Sequence, residues 1–85
     1  MDIDQARTFL AITAHGSFLE AARKLHVTQS TVSARIRRLE DELGVCLFKR
    51  NRAGAALTTP GRRFLDYAKR LVLTADQARD EVGLP

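Results

Sequence analysis

The chain has 85 residues, of which 45% are hydrophobic, and its 14 basic and 10 acidic residues give a net charge of +4. A chain this short forms one small domain and buries only about 60% of its unfolded surface, so a long apolar helix is expected to need a partner. No apolar run approaches the roughly 20 residues that span a bilayer, and no signal-peptide pattern opens the chain, so we expect a cytoplasmic protein away from membranes. The single cysteine cannot form an internal disulfide, which fits a reducing compartment.

The first two helices are indicated by the residues at their ends. The first is predicted over Ile3–His15, between a capping box and Gly16, which suits the left-handed position after a last helical turn. The second begins at Ser17, because Ser17 and Glu20 have capping-box spacing, and it ends near Leu25.

A tight turn separates the second helix from a third, which is predicted over Gln29–Leu43. Thr28 is the expected N-cap and Gly44 the stop, and His26 is among the residue types that adopt a positive φ in such turns. One face of the third helix is apolar and carries Val32, Ile36, Leu39 and Leu43. The opposite face is small, hydroxylated and cationic, with Ser30, Ala34, Arg37 and Asp41 at its centre and Ser33, Thr31 and Arg38 beside them.

A short β-hairpin, the wing, is predicted after the third helix. Its strands are placed at residues 48–50 and 57–58, on either side of a glycine-containing turn over residues 51–56. The wing, residues 49–56, carries the basic side chains Lys49, Arg50 and Arg52, and a purely solvated hairpin is the alternative interpretation. Cys46, which precedes the wing between two apolar residues, is expected to be a small buried hydrophobic residue.

The last helix is predicted over residues 60–82. Thr59 is the expected N-cap with Pro60 in the first turn, and Thr58 is the alternative cap. Gly83-Leu84-Pro85 is expected to stop the helix. Its apolar positions recur in alternating steps of four and three, a heptad rhythm that predicts a homodimer through Phe64, Ala68, Leu71, Ala75, Ala78 and Val82, with Val72 on the flank. The alternative is that the whole stripe packs on its own domain.

Positive charge is concentrated in the middle of the chain. Residues 23 to 63 contain ten of the fourteen Lys and Arg residues but only three acidic ones. Such a segment predicts a surface that binds phosphate groups, as nucleic-acid-binding domains have. The alternative is an ordinary solvated face.

The helix, tight turn and second helix follow the plan of a helix-turn-helix, whose second helix enters the major groove of DNA. Gln29 can bond adenine through both amide atoms, hydroxyl groups can bond bases or phosphates, and arginines suit phosphates. A basic hairpin tip can place an arginine in a narrow minor groove. The predicted DNA-binding residues are Ser17, Thr28, Gln29, Ser30, Thr31, Ser33, Arg35, Arg37, Arg38, Lys49, Arg50 and Arg52. For each serine and threonine, capping or simple exposure is the alternative.

Neither a catalytic centre nor a metal site is predicted. His15 and His26 have no cysteine, histidine or carboxylate arrangement around them that is typical of a metal site, and no glycine-rich phosphate loop is present. We therefore expect no enzyme and no cofactor. A second class of function remains open, a helical protein-interaction module whose basic face binds an acidic partner.

At this point the chain resembles the N-terminal DNA-binding domain of the LysR-type transcriptional regulators, and the resemblance covers essentially the whole chain. It rests on Phe9-Leu10, Gly16-Ser17-Phe18, Ala21-Ala22, Leu25, Val27-Thr28-Gln29-Ser30, Val32-Ser33, Ile36, Leu39-Glu40, Leu43-Gly44, Leu47-Phe48, Arg50, Arg52, Leu57-Thr58 and Gly61. The chain differs from the family at Ser30, where proline is frequent, and at Ala34, where a longer polar residue is common.

The resemblance implies a mainly α fold, a winged helix-turn-helix with a three-helix core and a small β-hairpin wing, followed by a long linker helix. It implies a DNA-binding domain over residues 1–58 and a linker and dimerisation helix over residues 59–85, with the usual C-terminal effector domain absent. It also implies homodimers, often within a tetramer of the full-length protein, that bind an interrupted palindrome in double-stranded DNA near a promoter. The resemblance also implies that DNA is contacted in the major groove by Gln29, Ser30 and Ser33, and by Arg52 from the wing.

Overall fold

A computed structural model of the chain describes residues 1–83, which form four α-helices and one two-stranded hairpin. In chain order the elements are α1 Ile3–His15, α2 Phe18–Leu25, α3 Gln29–Leu43, β1 Phe48–Asn51, β2 Gly54–Leu57 and α4 Thr59–Val82. The mainly α winged helix-turn-helix with a long last helix is therefore confirmed. Of the predicted stop after α4, Gly83 caps the helix, whereas Leu84 and Pro85 lie outside the described residues.

The helix boundaries follow the capping residues. The side chain of Asp2 accepts a hydrogen bond from the backbone N–H of Gln5. The side-chain oxygen of Gln5 accepts one from the backbone N–H of Asp2, which completes the capping box of α1. Gly16 ends α1 with a φ of 72°. His26 ends α2 with a φ of 58°, so the tight turn has the left-handed residue that was expected at this position. Thr28 caps α3 through its hydroxyl, as predicted.

The wing differs from its predicted form. β1 pairs with β2 in antiparallel register, with Asn51 opposite Gly54, so the connecting loop contains only Arg52 and Ala53. The side chain of Asn51 accepts a hydrogen bond from the Ala53 amide at 2.9 Å and closes the loop. The prediction of a turn over residues 51–56 and a return strand at residues 57–58 was wrong. Gly54 is not a turn residue but the first residue of β2, which ends at Leu57.

The predicted N-cap of the last helix was also one residue off. Thr58, the alternative, caps α4 and accepts a hydrogen bond from Gly61 at 3.0 Å, so Thr59 is the first helical residue. The Thr58 hydroxyl also donates to the Cys46 carbonyl at 2.6 Å. The prediction that Cys46 is a buried hydrophobic residue was wrong. Its backbone carbonyl is bonded to Thr58, but its side chain is exposed. The neighbouring Leu47 is the residue that fills the core.

The core contains all four phenylalanines of the chain in one continuous row. The ring of Phe9 lies 5.0 Å from Phe64 and 5.2 Å from Phe48, and Phe48 lies 5.7 Å from Phe18. This row joins α4, α1, the wing and α2. Residues of α3 complete the core with Val32, Ile36 and Leu39, as the apolar face of that helix predicted, and Leu43 packs against its edge.

Candidate nucleic-acid interface

The outward face of α3 is open. Gln29, Ser30, Ala34 and Arg37 are exposed, while the opposite face of the helix is anchored in the core. Because α2 packs against α3 behind the His26 turn, the amino-terminal end of α3 projects from the domain, as a recognition helix does. The face therefore offers amide, hydroxyl and guanidinium groups with no part of residues 1–83 in front of them.

The exposed face of α3 forms one side of a shallow cleft, and the wing forms the other. Five α3 residues line the cleft together with one wing residue: Gln29, Ser30, Ser33, Ala34, Arg37 and Arg50. The small side chains in the first half of α3 leave this cleft open, because a longer side chain at Ala34 or Ser30 would fill it. The structure thus brings together three predicted major-groove residues, one predicted phosphate-binding arginine, Arg37, and one arginine of the wing, Arg50.

The wing is fastened to the turn between α1 and α2. The Ala55 amide donates to the Gly16 carbonyl at 2.9 Å. Gly54, with a φ of 133°, passes so close that a Cβ at this position would lie 2.2 Å from the same carbonyl oxygen. Sequence reasoning missed this contact, although an isolated glycine next to a strand is a known sign of a close backbone approach. The wing is therefore held at a fixed distance from the helix-turn-helix.

The three basic residues of the wing differ in their surroundings. Lys49 and Arg52 are exposed, and Arg52 lies at the hairpin tip. Arg50 is exposed as well, but its guanidinium carbon lies 4.0 Å from the centroid of the Phe18 ring, a cation–π contact. Only Arg50 of the three lines the cleft beside α3.

Comparison with known proteins places this architecture in a family. The model described as bacterial regulatory helix-turn-helix protein, lysR family, matches residues 3–62. The HTH-type transcriptional regulator HdfR of Salmonella newport (strain SL254) is 48% identical over 83 residues, which cover 98% of this chain and 30% of that regulator. The chain belongs to the LysR family.

Solved structures of LysR-family proteins have the same fold. The crystal structure of a CbnR_DBD–DNA complex is similar with a TM-score of 0.89 at 35% identity, covering 94% of this chain and 92% of that one. A BenM_DBD/catB site 1 DNA complex has a TM-score of 0.88 at 35% identity, with 94% and 90% covered. The LysR-family regulator VV2_1132 has a TM-score of 0.91 at 32% identity, covering 99% of this chain and 29% of that one.

Family membership also settles the class of protein. The family is one of regulatory helix-turn-helix proteins and the matched relatives are transcriptional regulators, so this chain is a helix-turn-helix domain of the LysR family and not an enzyme. The chain spans about 30% of the length of the curated relatives it matches. Among residues 1–83, no group of histidine, cysteine and carboxylate side chains could hold a metal ion. Within the same residues, no helix is long and apolar enough to cross a membrane.

Two of the predicted DNA-binding hydroxyls are helix caps in this LysR-family domain. The Ser17 hydroxyl accepts from the Glu20 amide at 2.9 Å, and the Thr28 hydroxyl accepts from the Thr31 amide at 3.1 Å. The Thr31 hydroxyl shares a hydrogen bond of 2.9 Å with that of Thr28. Capping, the alternative interpretation, therefore applies to Ser17 and Thr28, and none of the three residues lines the cleft.

Two of the predicted phosphate-binding arginines lie outside the cleft. Arg35 is half-buried on the flank of α3, where its guanidinium lies 3.4 Å from the Thr8 hydroxyl of α1. Its position one residue from the core residue Ile36 turns it toward α1, which the local charge pattern could not indicate. Arg38 is exposed but does not line the cleft.

The predicted dimer residues of the LysR-family linker helix separate into two groups. Phe64 and Ala68 are buried in the chain's own core. Val72 is half-buried, and Val82 is 82% exposed. Leu71, Ala75 and Ala78 line an open and mainly apolar groove, to which Phe64 also contributes. The groove contains further residues absent from the predicted stripe: Met1, Ile3, Leu43, Val45, Tyr67 and the basic Arg63 and Arg70.

The linker helix is tied to α1 by an ion pair beside this groove. Arg7 donates to the Asp76 carboxylate at 2.6 Å, and Arg79 approaches the same carboxylate from the next turn of α4. The hydrogen bond from Arg7, with the charges of both arginines, lowers the pKa of Asp76 below its ordinary value of 3.8. The Asp76 carboxylate therefore links α4 to α1 through Arg7.

Proposed function

We propose that this LysR-family domain binds double-stranded DNA in a sequence-specific manner, with α3 in the major groove and the wing, residues 49–56, at the minor groove and backbone. The observation that carries the proposal is the cleft in which Gln29, Ser30, Ser33 and Arg37 of α3 lie free of other parts of the domain. An amide at Gln29 can bond adenine, and hydroxyls at Ser30 and Ser33 suit bases or phosphates. The matched CbnR_DBD and BenM_DBD structures are DNA complexes, which supports the same partner here.

We also propose that two copies bind together, as the resemblance to the LysR family implies, with antiparallel α4 helices. The open groove along Leu71, Ala75 and Ala78 is apolar and extends onto α3 and the following loop at Leu43 and Val45. A second copy of α4 is its proposed occupant, because the groove residues Leu71, Ala75 and Ala78 belong to the apolar heptad stripe of α4 itself, and a two-fold dimer places the same stripe on both partners. A two-fold dimer presents two α3 helices, which suits an interrupted palindrome near a promoter. The full-length cytoplasmic regulator is proposed to assemble further into tetramers.

Selection of bound sequences from random DNA tests the base-reading part of the proposal. We expect a defined site, and we expect Gln29→Ala or Ser33→Ala to cost about 1–3 kcal/mol on that site and little on mixed-sequence DNA. Lys49→Ala is the matched comparison, because Lys49 is an exposed wing residue outside the cleft. Its loss should lower the affinity for the selected site and for mixed-sequence DNA by the same factor. Equal losses for Gln29→Ala on both kinds of DNA would contradict base reading. Failure of the chain to bind any DNA at low salt would favour an acidic protein partner.

Sedimentation of two glutamate variants tests the dimer. Leu71→Glu places a charge in the groove and is expected to give monomers, because an unpaired carboxylate is costly to bury. Leu73→Glu is the matched control, since Leu73 is the more exposed of the two, 56% against 38%, and lies outside the groove. We expect it to leave the dimer intact. A monomeric unmodified chain, or equal dissociation by both substitutions, would refute the proposed interface.

A further inference from the structure

Arg50 occupies a different position from the other basic residues of the wing. Because side chains alternate along a strand, Phe48 and Arg50 lie on the same side of β1, and Phe48 is buried. Phe48 contacts the edge of the Phe18 ring, and the Arg50 guanidinium covers that ring at 4.0 Å. Phe18, the first residue of α2, is thus a platform between the core and the wing.

The side of the wing that carries Arg50 faces the recognition helix. Arg50 lines the cleft together with α3 residues, whereas the hairpin tip carries Arg52. In a winged domain with α3 in the major groove and the tip at the minor groove, the segment between them meets the phosphate strand that separates the two grooves. A guanidinium at that place can bind phosphate oxygens, and Arg50 forms no salt bridge with any of residues 1–83 that would neutralise it.

We propose that Phe18 is a positioning residue, which holds the Arg50 guanidinium in the cleft so that it grips a phosphate between the two grooves. This rests on the proposed function, because it assumes that α3 enters the major groove. An exposed arginine on a hairpin has many rotamers, and binding to DNA has to select one of them. Stacking on a ring that is itself 6% exposed, and therefore fixed by the core, makes that selection before DNA arrives.

The proposal separates two residues of the wing and adds a residue of α2. The sequence predicts the wing at the minor groove and backbone without distinguishing Arg50 from Arg52, and the proposal places Arg50 at the backbone beside the major groove. Phe18 had no predicted role beyond the family resemblance. The sequence shows neither role, because residues 18 and 50 are far apart along the chain. They come into contact only in the folded domain, where Phe18 packs on Phe48 in the core.

A double-mutant cycle on DNA affinity tests the proposal with a mixed-sequence duplex as the probe. Phe18→Leu keeps an apolar residue in the core but removes the ring face. We expect it to weaken binding about two- to fivefold more in the presence of Arg50 than in the Arg50→Ala background, as a cation–π contact at an exposed site predicts. Arg50→Ala alone should reduce the slope of log affinity against log salt by about 0.9, the loss of one phosphate contact.

Phe9→Leu is the control for loss of an aromatic ring from the same core. Phe9 contacts Phe48 and Phe64 but not Arg50, so its substitution should lower the free energy of unfolding without coupling to Arg50→Ala in DNA binding. Each variant is measured at a temperature at which circular dichroism reports it folded. Equal effects of Phe18→Leu in both backgrounds, or an unchanged salt slope for Arg50→Ala, would overturn the role of Phe18 while leaving DNA binding intact. Absence of DNA binding by the unmodified chain would refute the proposed function as well.

Discussion

Replacing Gly54 by alanine tests how the wing is held against the helix-turn-helix. The new Cβ would lie 2.2 Å from the Gly16 carbonyl oxygen, which is about 1 Å closer than ordinary contact, and the atom it meets is backbone. The φ of 133° adds strain of about 1–3 kcal/mol for a residue other than glycine. Retreat of β2 would also break the hydrogen bond from Ala55 to Gly16, worth about 1 kcal/mol.

The expected loss of unfolding free energy is therefore about 2–4 kcal/mol for Gly54→Ala. A domain of this length has about 4–13 kcal/mol in total, so the variant should remain folded at moderate temperature. Gly44→Ala is the matched control, because Gly44 also has a positive φ, 72°, but an added Cβ meets nothing within 4 Å. It should cost only about 1–2 kcal/mol, the price of a left-handed conformation.

Urea unfolding and DNA titration of the two variants provide the comparison. We expect Gly54→Ala to unfold at a lower urea concentration than Gly44→Ala, and we expect it alone to bind mixed-sequence DNA more weakly, because the wing is displaced from the cleft. Equal losses of stability and equal DNA affinities in the two variants would show that the contact between Gly54 and Gly16 does not position the wing.

Three further predictions concern other parts of the domain. Arg37→Ala should weaken binding to all duplexes alike and reduce the salt slope by about 0.9, and a loss confined to one sequence would contradict a phosphate contact. Because the pKa of Asp76 is lowered in the folded state, its ionised form adds to the free energy of unfolding above pH 3.8, and this contribution is lost as the pH falls through the folded-state pKa. Asp76→Asn should therefore make the free energy of unfolding depend less on pH in the acid range. Gly61→Ala should unfold the junction of α4 and the wing at lower urea, because its Cβ would lie 2.2 Å from the Leu47 carbonyl oxygen; an unchanged midpoint would contradict this close approach.

The helices of this domain were predictable because their signals are local. The hydroxyl of Thr28 and the carboxylate of Asp2 cap backbone amides three residues away, so sequence spacing alone locates the helix starts. The apolar face of α3 is equally local, since residues three and four apart share a face. These signals predicted α1 and α3 with their observed bounds and α2 to within one residue, because Ser17 is the N-cap and Phe18 the first helical residue.

The errors arose where residues distant in the sequence meet. Gly54 lies in a strand that passes close to Gly16; the glycine is a sign of a close backbone approach, but nothing near residue 54 indicates which residue it meets. The dimer residues stay a prediction: Phe64 and Ala68 have the spacing of a dimer seam and also lie in the chain's own core, and Phe64 lines the open groove as well. A heptad rhythm identifies an apolar stripe and does not identify which surface covers it.

The same distinction applies to the candidate interface. The charge pattern identified α3 and the wing as basic, and the structure places Gln29 and Ser33, two predicted DNA-binding residues, in the cleft. The pattern could not separate Arg37, which lines the cleft, from Arg35, which turns to Thr8 of α1. The conformation of each arginine depends on what packs beside it, and that is decided by the tertiary fold.

Substitution of single purines in the selected site by deaza analogues that lack the N7 acceptor measures major-groove contact directly. With α3 of each protomer in the major groove, we predict that binding weakens at purines in two half-sites, whose centres lie one helical turn or a multiple of it apart. Gln29→Ala should abolish the effect at one purine in each half-site. Binding that is indifferent to every N7 substitution would contradict the claim that the exposed face of α3 reads the major groove.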